Sequence, residues 1–268
     1  MSGVDDADLA DIVQRVRDAE RGRRDIGRLT TEHRWLDAGV AYRAQDLQLE
    51  QRIAEGENRV GTKLGLTSRA KQQRMGIDSP LTGFLTSSMV LPLGAPLPAA
   101  ELIHPRVEPE IVFLMGSALQ GPGVTGASAL AAVASVHAGL EVIDSRFSGF
   151  DFALADVIAD NASSARFAVS PTGVPPLGLD LVLEACVLRH NGEVVDTATG
   201  AAVQGNPFEA LAAAVNDLAT RGRRIEAGEL VLTGGITDAV SVAPGDEVTV
   251  QFASLGSLTL TVAPEGQP

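Results

Sequence analysis

The 268-residue chain holds a single cysteine, Cys186, so no intrachain disulfide can form and a reducing compartment is expected. It has no uninterrupted apolar run of about 18 residues, which excludes a membrane-spanning helix. Basic residues are few: 21 Lys and Arg against 34 Asp and Glu give a formal charge of −13. That balance argues against nucleic acid as the main partner, although a local cation can still hold an anionic substrate. The four histidines, His33, His104, His137 and His190, are scattered, and neither His-x-x-x-His nor Cys-x-x-Cys spacing occurs, so zinc is not indicated. Without a G-x-S-x-G elbow, a serine hydrolase is not indicated either. The chain also lacks internal repeats and low-complexity tracts. Its opening, "MSGVDDADLADIVQRV", is acidic and amphipathic, unlike a signal peptide, and a cytoplasmic location is expected.

What is present suits a globular enzyme. Apolar residues make up 45% of the chain, enough for a sizeable core. "DADLADIVQRVRDAERGRR" and "DAGVAYRAQDLQLEQRIAEG" carry apolar residues at helical spacing, so the first 60 or so residues read as helical. "NRVGTKLGLTS" alternates like a strand, and "SRAKQQRMG" reads as a short helix between Ser68 as N-cap and Gly76. The Pro- and Gly-rich "LPLGAPLPAAELIHP" links this region to a second one, where strand signals dominate. There "EIVFLM" and "LEVIDSR" read as strands around a helix, "GASALAAVASVHAG". "ACVLRHNGEVVDTA" is a hairpin with a type I′ turn at Asn191-Gly192. "GNPFEALAAAVNDLATRG" is a helix with Asn206 as cap, Pro207 at its first position and Gly222 as terminator. "ELVLTGGITDAVSVAPGDEVTVQFASLGSLTLTV" reads as several strands separated by turns. The division expected is an N-terminal α/β region over 1–95 and a β-rich core over 96–268.

In "HPRVEPEIVFLM", Glu108 and Glu110 stand two apart, so on a strand both carboxylates project from one face. Like charges side by side are unfavourable unless water, a cation or a shared proton relieves them. Glu141, about thirty residues on at the start of a strand, can fall beside them. Three carboxylates suit a hard divalent cation such as Mg²⁺ or Mn²⁺. The same pair also fits the solvated face of an edge strand, with Arg106 as its partner.

Lys63 lies mid-strand among apolar positions and glycines. There it is either an exposed edge lysine or a partly buried group that moves protons or holds a substrate carboxylate. Asp156, Asp160, Asn161, Ser163 and Ser164 crowd one short stretch, where they either orient a ligand or form an ordinary turn. "LTGGIT" can offer backbone N–H groups to an anion or form a tight turn. "GPGVTG" matches G-x-G-x-x-G, with Asp144 about 20 residues on, but the strand before it ends too early for a dinucleotide site.

Together "GTKLGLTSRAKQQRMGIDSPLTGFL", "LIHPRVEPEI", "LEVIDSRF", "VIADNASSARF" and "LTGGITDAVSVAPGDEVTV" occur in an order that resembles the hydratase and decarboxylase branch of the fumarylacetoacetate hydrolase superfamily, from bacterial meta-cleavage catabolism of aromatic compounds. The resemblance implies an α+β fold, a mixed β-roll core of that type with a helical N-terminal α/β region. It implies metal ligation by Glu108, Glu110 and Glu141 with Mg²⁺ or Mn²⁺, and catalytic roles for Lys63 and Asp78. Leu66, Ser163, Thr233 and Gly234 fall where the family binds substrate. The implied reaction is decarboxylation of 2-oxohex-3-enedioate, a small 2-oxo dicarboxylic acid, to 2-hydroxypenta-2,4-dienoate, with hydration of that dienoate as the alternative. The implied assembly is a homo-oligomer that also joins the pathway hydratase, with no nucleic-acid or membrane partner. Pro109 departs from the family pattern, which more often has a small residue in E-x-E. A proline there removes a backbone donor and suits an edge or non-bonded position.

Overall fold

The computed structural model describes residues 5–76 and 80–266. Helix α1 (Asp6–Gly22) starts at Asp5, whose side chain accepts from the Asp8 N–H, and buries the stripe Leu9, Ile12, Val13 and Val16. A short α2 (Leu29–Glu32) leads to α3 (Ala38–Ala54), capped by Asp37 in the same way. The buried face of α3 carries Gln45 and Gln48 as well as alanines, so part of its packing is polar and specific.

Strands β1 (Arg59–Gly65) and β2 (Leu81–Thr86) pair antiparallel around α4 (Arg69–Met75). Strand β3 (Arg106–Met115) follows, then α5 (Gly126–Ala132) and β4 (Val133–Ile143). The helix expected over "GASALAAVASVHAG" therefore ends at Ala132, and the rest of that stretch is strand. Val133 and Val136 are stiff, β-branched residues. Pairing from Met115↔Val133 to Arg106↔Ile143 gives the segment more than a local helix can. "GPGVTG" sits in the loop joining β3 to α5, between antiparallel neighbours, whereas a dinucleotide crossover joins parallel strands.

Helix α6 (Leu154–Ala159) leads into β5 (Ser164–Val169), which pairs with β4. The hairpin of β6 (Ala185–His190) and β7 (Glu193–Thr199) turns at Asn191 and Gly192, both at positive φ, as a type I′ turn requires. Helix α7 (Pro207–Thr220) is capped by Asn206 and packs Phe208 flat on Phe113, ring centroids 4.9 Å apart. Strand β8 (Leu230–Leu232) runs parallel to β1 and antiparallel to β3, and β9 (Val240–Ser241) pairs with the start of β3. Strands β10 (Glu247–Phe252) and β11 (Gly256–Thr261) close the chain.

Among the described residues seven strands form one mixed sheet, ordered β2-β1-β8-β3-β4-β5 with β9 on β3, and β11-β10-β6-β7 form a second. This is an α+β fold in which the larger sheet takes strands from both sides of residue 96. Its core joins β3, β4, α7 and the second sheet through Ile111, Phe113, Leu140, Leu211 and Val250. A separate cluster unites α1, α3 and α6. Cys186 is packed in the main core. No helix among the described residues is long and apolar enough to cross a membrane.

One gap in this sheet makes room for chemistry. Strand β8 leaves β3 after pairing with Val112, and β9 rejoins only at Val107, so residues 233–239 loop past the middle of β3. The carbonyls of Pro109 and Ile111 accept from the Ile236 and Thr233 N–H groups of that loop. The N–H that Pro109 lacks points the same way, toward an irregular loop rather than a ladder. Proline is thus accommodated in an interior strand, at a non-bonded position.

Candidate metal centre

Cross-strand register assembles the acidic group. Glu108 stands directly opposite Glu141 in the β3–β4 ladder, and Glu110 follows on the same face of β3. Carboxylate oxygens from all three lie within 4.8 Å of one another. Glu110 and Glu141 are fully buried, whereas Glu108 is half-buried at the wall of a cavity. The alternative of a solvated edge strand is thereby overturned, because β3 lies inside the sheet.

The partners of these carboxylates leave part of their capacity open. Glu110 Oε2 accepts from the Gly234 N–H at 2.7 Å, and Glu141 Oε1 accepts from the Ser164 hydroxyl at 2.9 Å. Among the described residues Glu110 Oε1 has no hydrogen-bond partner, and Glu141 Oε2 is ion-paired with Lys63 Nζ at 3.0 Å. Orphaned buried carboxylate oxygens are costly, and a divalent cation is the ligand that relieves them. Burial first, then Glu141 and Glu108, push the Glu110 carboxyl well above the usual carboxylate range, against the opposing pull of Lys63. The donor set fits an oxygen-loving ion such as Mg²⁺ or Mn²⁺.

Lys63 is 2% exposed on β1, between β2 and β8, so it is not an edge lysine. Its ammonium donates to the Ala162 carbonyl at 3.1 Å and faces Glu141. Burial draws its pKa down, but Glu141, Glu108 and Glu110 outweigh burial and the pKa is raised. Lys63 therefore stays protonated at neutral pH.

The polar stretch after α6 is the frame of the centre. Asn161, Ala162 and Ser163 all adopt left-handed backbone at φ 50°, 52° and 58°, which costs energy for residues with side chains. Asn161 holds the turn by mimicking a strand: its Oδ1 accepts from the Phe84 N–H at 2.8 Å and its Nδ2 donates to the Phe84 carbonyl at 3.0 Å. Gln45 and Gln48 of α3 donate to the carbonyls of Ile158 and Ala159 at the end of α6. Asp160 is ion-paired with buried Arg146, and burial still pushes its carboxyl up to about 6. Asp156 caps α6 at the Ala153 N–H and binds Thr30. The turn thus aims the Ala162 carbonyl at Lys63 and the Ser164 hydroxyl at Glu141.

A cavity of about 740 Å³ opens in front of Lys63 and Glu108. Leu66 and Ser163, which the resemblance assigns to substrate binding, line it together with Met75, Leu81, Phe150 and Phe152. Thr233 and Gly234 do not face it. Thr233 is buried and its hydroxyl donates to the Ile111 carbonyl, while the Gly234 N–H is committed to Glu110. Both tie the loop to β3 beside the acidic group. Asp78 lies outside the described residues. Gly235, which sequence reasoning did not single out, is needed for close approach, since a Cβ there would come within 2.2 Å of Glu108 Oε2. Gly234, at φ +107°, equally leaves no room, with Thr67 Oγ1 at 2.2 Å from its would-be Cβ. The doubled glycine in "LTGGIT" was the available signal.

A mixed sheet that gathers three acids and a charged lysine at the wall of a cavity defines an enzyme with an oxygen-ligand site for a divalent metal. Residues 53–263 match the family model described as "Fumarylacetoacetate (FAA) hydrolase C-terminal". The chain belongs to the fumarylacetoacetate hydrolase family. It is 41% identical over 248 residues to 4-oxalocrotonate decarboxylase of Pseudomonas sp. (strain CF600), covering 92% of this chain and 94% of that protein. It is 37% identical over 249 residues to 2-hydroxyhexa-2,4-dienoate hydratase of Comamonas testosteroni, with coverages of 92% and 94%. The solved structure of 4-oxalocrotonate decarboxylase from Pseudomonas putida G7, complexed with magnesium and adipate, superposes with a TM-score of 0.93 at 38% identity, over 97% of this chain and 99% of that one.

Replacing Asn161 with Ala removes two buried hydrogen bonds and strands the Phe84 N–H and carbonyl. The expected loss of stability is about 2–5 kcal/mol, read by urea denaturation. A loss below about 1 kcal/mol would show that Asn161 does not hold the turn.

Proposed function

We propose that the protein is a divalent-metal-dependent decarboxylase acting on 2-oxohex-3-enedioate (4-oxalocrotonate) and forming carbon dioxide and 2-hydroxypenta-2,4-dienoate. The observation that carries this reading is the buried Glu108–Glu110–Glu141 group beside protonated Lys63, at the wall of a cavity that can hold a six-carbon acid. Likeness to decarboxylases along nearly the whole chain supports the choice of substrate.

Glu108, Glu110 and Glu141 hold Mg²⁺, or Mn²⁺ in its place. When bound, the ion supplies Lewis-acid stabilisation of negative charge on a 2-oxo acid. In the reaction the C5–C6 bond breaks and its electron pair moves through the C3=C4 double bond to the C2 oxygen. Lys63 Nζ, kept charged by its acidic neighbours, donates the proton that this oxygen takes up. Asp78 is assigned a share in returning protons to the site. Leu66, Leu81 and Met75 supply an apolar wall that keeps water from the conjugated chain, and Ser163, whose hydroxyl donates to Asp160 at 3.1 Å, shapes the wall beside the substrate. Thr233 and Gly234 act through Glu110, which they position.

Hydration of the dienoate is the second reading, favoured by hydratase relatives that match this chain nearly end to end. Assembly as a homo-oligomer, and with a pathway hydratase, is proposed alongside; exposed Leu177, Leu183, Val194 and Val195 supply apolar surface for it.

With Mg²⁺ present, carbon dioxide is expected from 2-oxohex-3-enedioate, and Glu108→Gln or Glu141→Gln is expected to lower turnover at least about 100-fold. Consumption of 2-hydroxypenta-2,4-dienoate alone would replace the decarboxylase reading with hydration. The ion must also displace the proton that burial keeps on Glu110. Its affinity should therefore rise with pH until that raised pKa is passed, with proton release seen by calorimetry in buffers of different ionisation enthalpy. Binding of Mg²⁺ without pH dependence would contradict a protonated Glu110.

A further inference from the structure

We propose that Arg106 is the residue that receives the distal carboxylate of the substrate and makes this site select dicarboxylic over monocarboxylic 2-oxo acids. The inference rests on the 2-oxo-acid chemistry proposed above and deepens it. Arg106 opens β3 and precedes Glu108 and Glu110 by two and four residues, so its side chain leaves the same face of the strand. Arg106 and Glu108 both line the cavity. Their backbones are about 7 Å apart, a span that a six-carbon chain covers when its 2-oxo end lies at the acidic group.

The guanidinium stacks on Phe150, 3.9 Å from the ring centroid. Stacking fixes its plane and leaves its edge N–H groups free to grip a carboxylate in the paired, in-plane manner that arginine favours. Among the described residues Arg106 makes no hydrogen bond or ion pair through its side chain. Lys63, the other cation among the described lining residues, is turned to Glu141 and the Ala162 carbonyl. Among the described lining residues the acids are Glu108, Asp151 and Asp238; Asp151 is ion-paired with Arg28, and Glu108 belongs to the metal group. Among the described lining residues, Arg106 is therefore the cation that a carboxylate entering past Phe150 and Phe152 meets with its edge N–H groups open. The dienoate substrate of the hydration reading has no such distal group, so Arg106 also favours the decarboxylase reading.

The test uses two inert ligands that differ only in the distal carboxylate, 2-oxohexanedioate and 2-oxohexanoate, titrated into the Mg²⁺-loaded protein by calorimetry. The native protein is expected to bind the dicarboxylate at least about 10-fold more tightly. Arg106→Gln should bring the two affinities within about threefold by weakening the dicarboxylate alone, and Arg106→Lys should restore part of the preference. Retained binding of 2-oxohexanoate by Arg106→Gln shows at once that the variant is folded. Equal affinities in the native protein, or an undiminished preference in Arg106→Gln, would overturn the role of Arg106 while leaving the 2-oxo-acid reading intact. Failure of both ligands to bind the native protein would instead overturn that reading, and this inference with it.

Discussion

Two buried carboxylates and a third at the cavity wall, with the buried ammonium of Lys63 among them, are the constraint around which the fold is arranged. Glu108 directly opposite Glu141 is a like-charge cross-strand pair, which a sheet ordinarily avoids. Fully buried Glu110 adds to the repulsion, which raises its carboxyl above the usual range, and Lys63 is threaded in from β1 to oppose it. One lysine cannot neutralise three acids. Three oxygen-ligand acids gathered within 4.8 Å, with open buried oxygens on Glu110 and Glu141, make the group a receptor for a divalent cation rather than a structural ion pair.

That arrangement explains features that otherwise look like defects. The sheet is interrupted where β8 leaves β3, because the loop carrying Gly234 and Gly235 must come close to Glu110 and Glu108. Three consecutive residues with side chains take left-handed backbone at 161–163, because the Ala162 carbonyl must meet Lys63 while Ser164 meets Glu141. Asn161, Gln45 and Gln48 hold that turn by pairing with backbone groups of β2 and the end of α6. The two glutamines on the buried face of α3 follow from this duty.

Much of the centre was legible because it obeys short-range rules. A spacing of two puts Glu108 and Glu110 on one face, and the Asn191-Gly192 turn and the Asn206 cap depend on their immediate neighbours alone. Ordered motifs from Lys63 to Gly234 carried the family likeness. What failed depends on distant partners. The alanine-rich stretch from Val133 to Ala138 resembles a helix locally, yet pairs with β3 residues about twenty to thirty positions earlier. Nothing near Asn161 in the sequence announces that its amide will bind Phe84. Arg106 looked like a counter-ion for its acidic neighbours, and only the position of Phe150 shows it turned to the cavity instead. Thr233 and Gly234 lay in the right segment, but only the folded loop shows their bonds to Ile111 and Glu110.

The central claim is that the three acids form one ion site, and its most direct test is to locate a bound ion. Crystals grown with Mn²⁺ should show a single strong anomalous peak within bonding distance of carboxylate oxygens from Glu108, Glu110 and Glu141. An empty triad, with Mn²⁺ absent or bound elsewhere, would contradict the account.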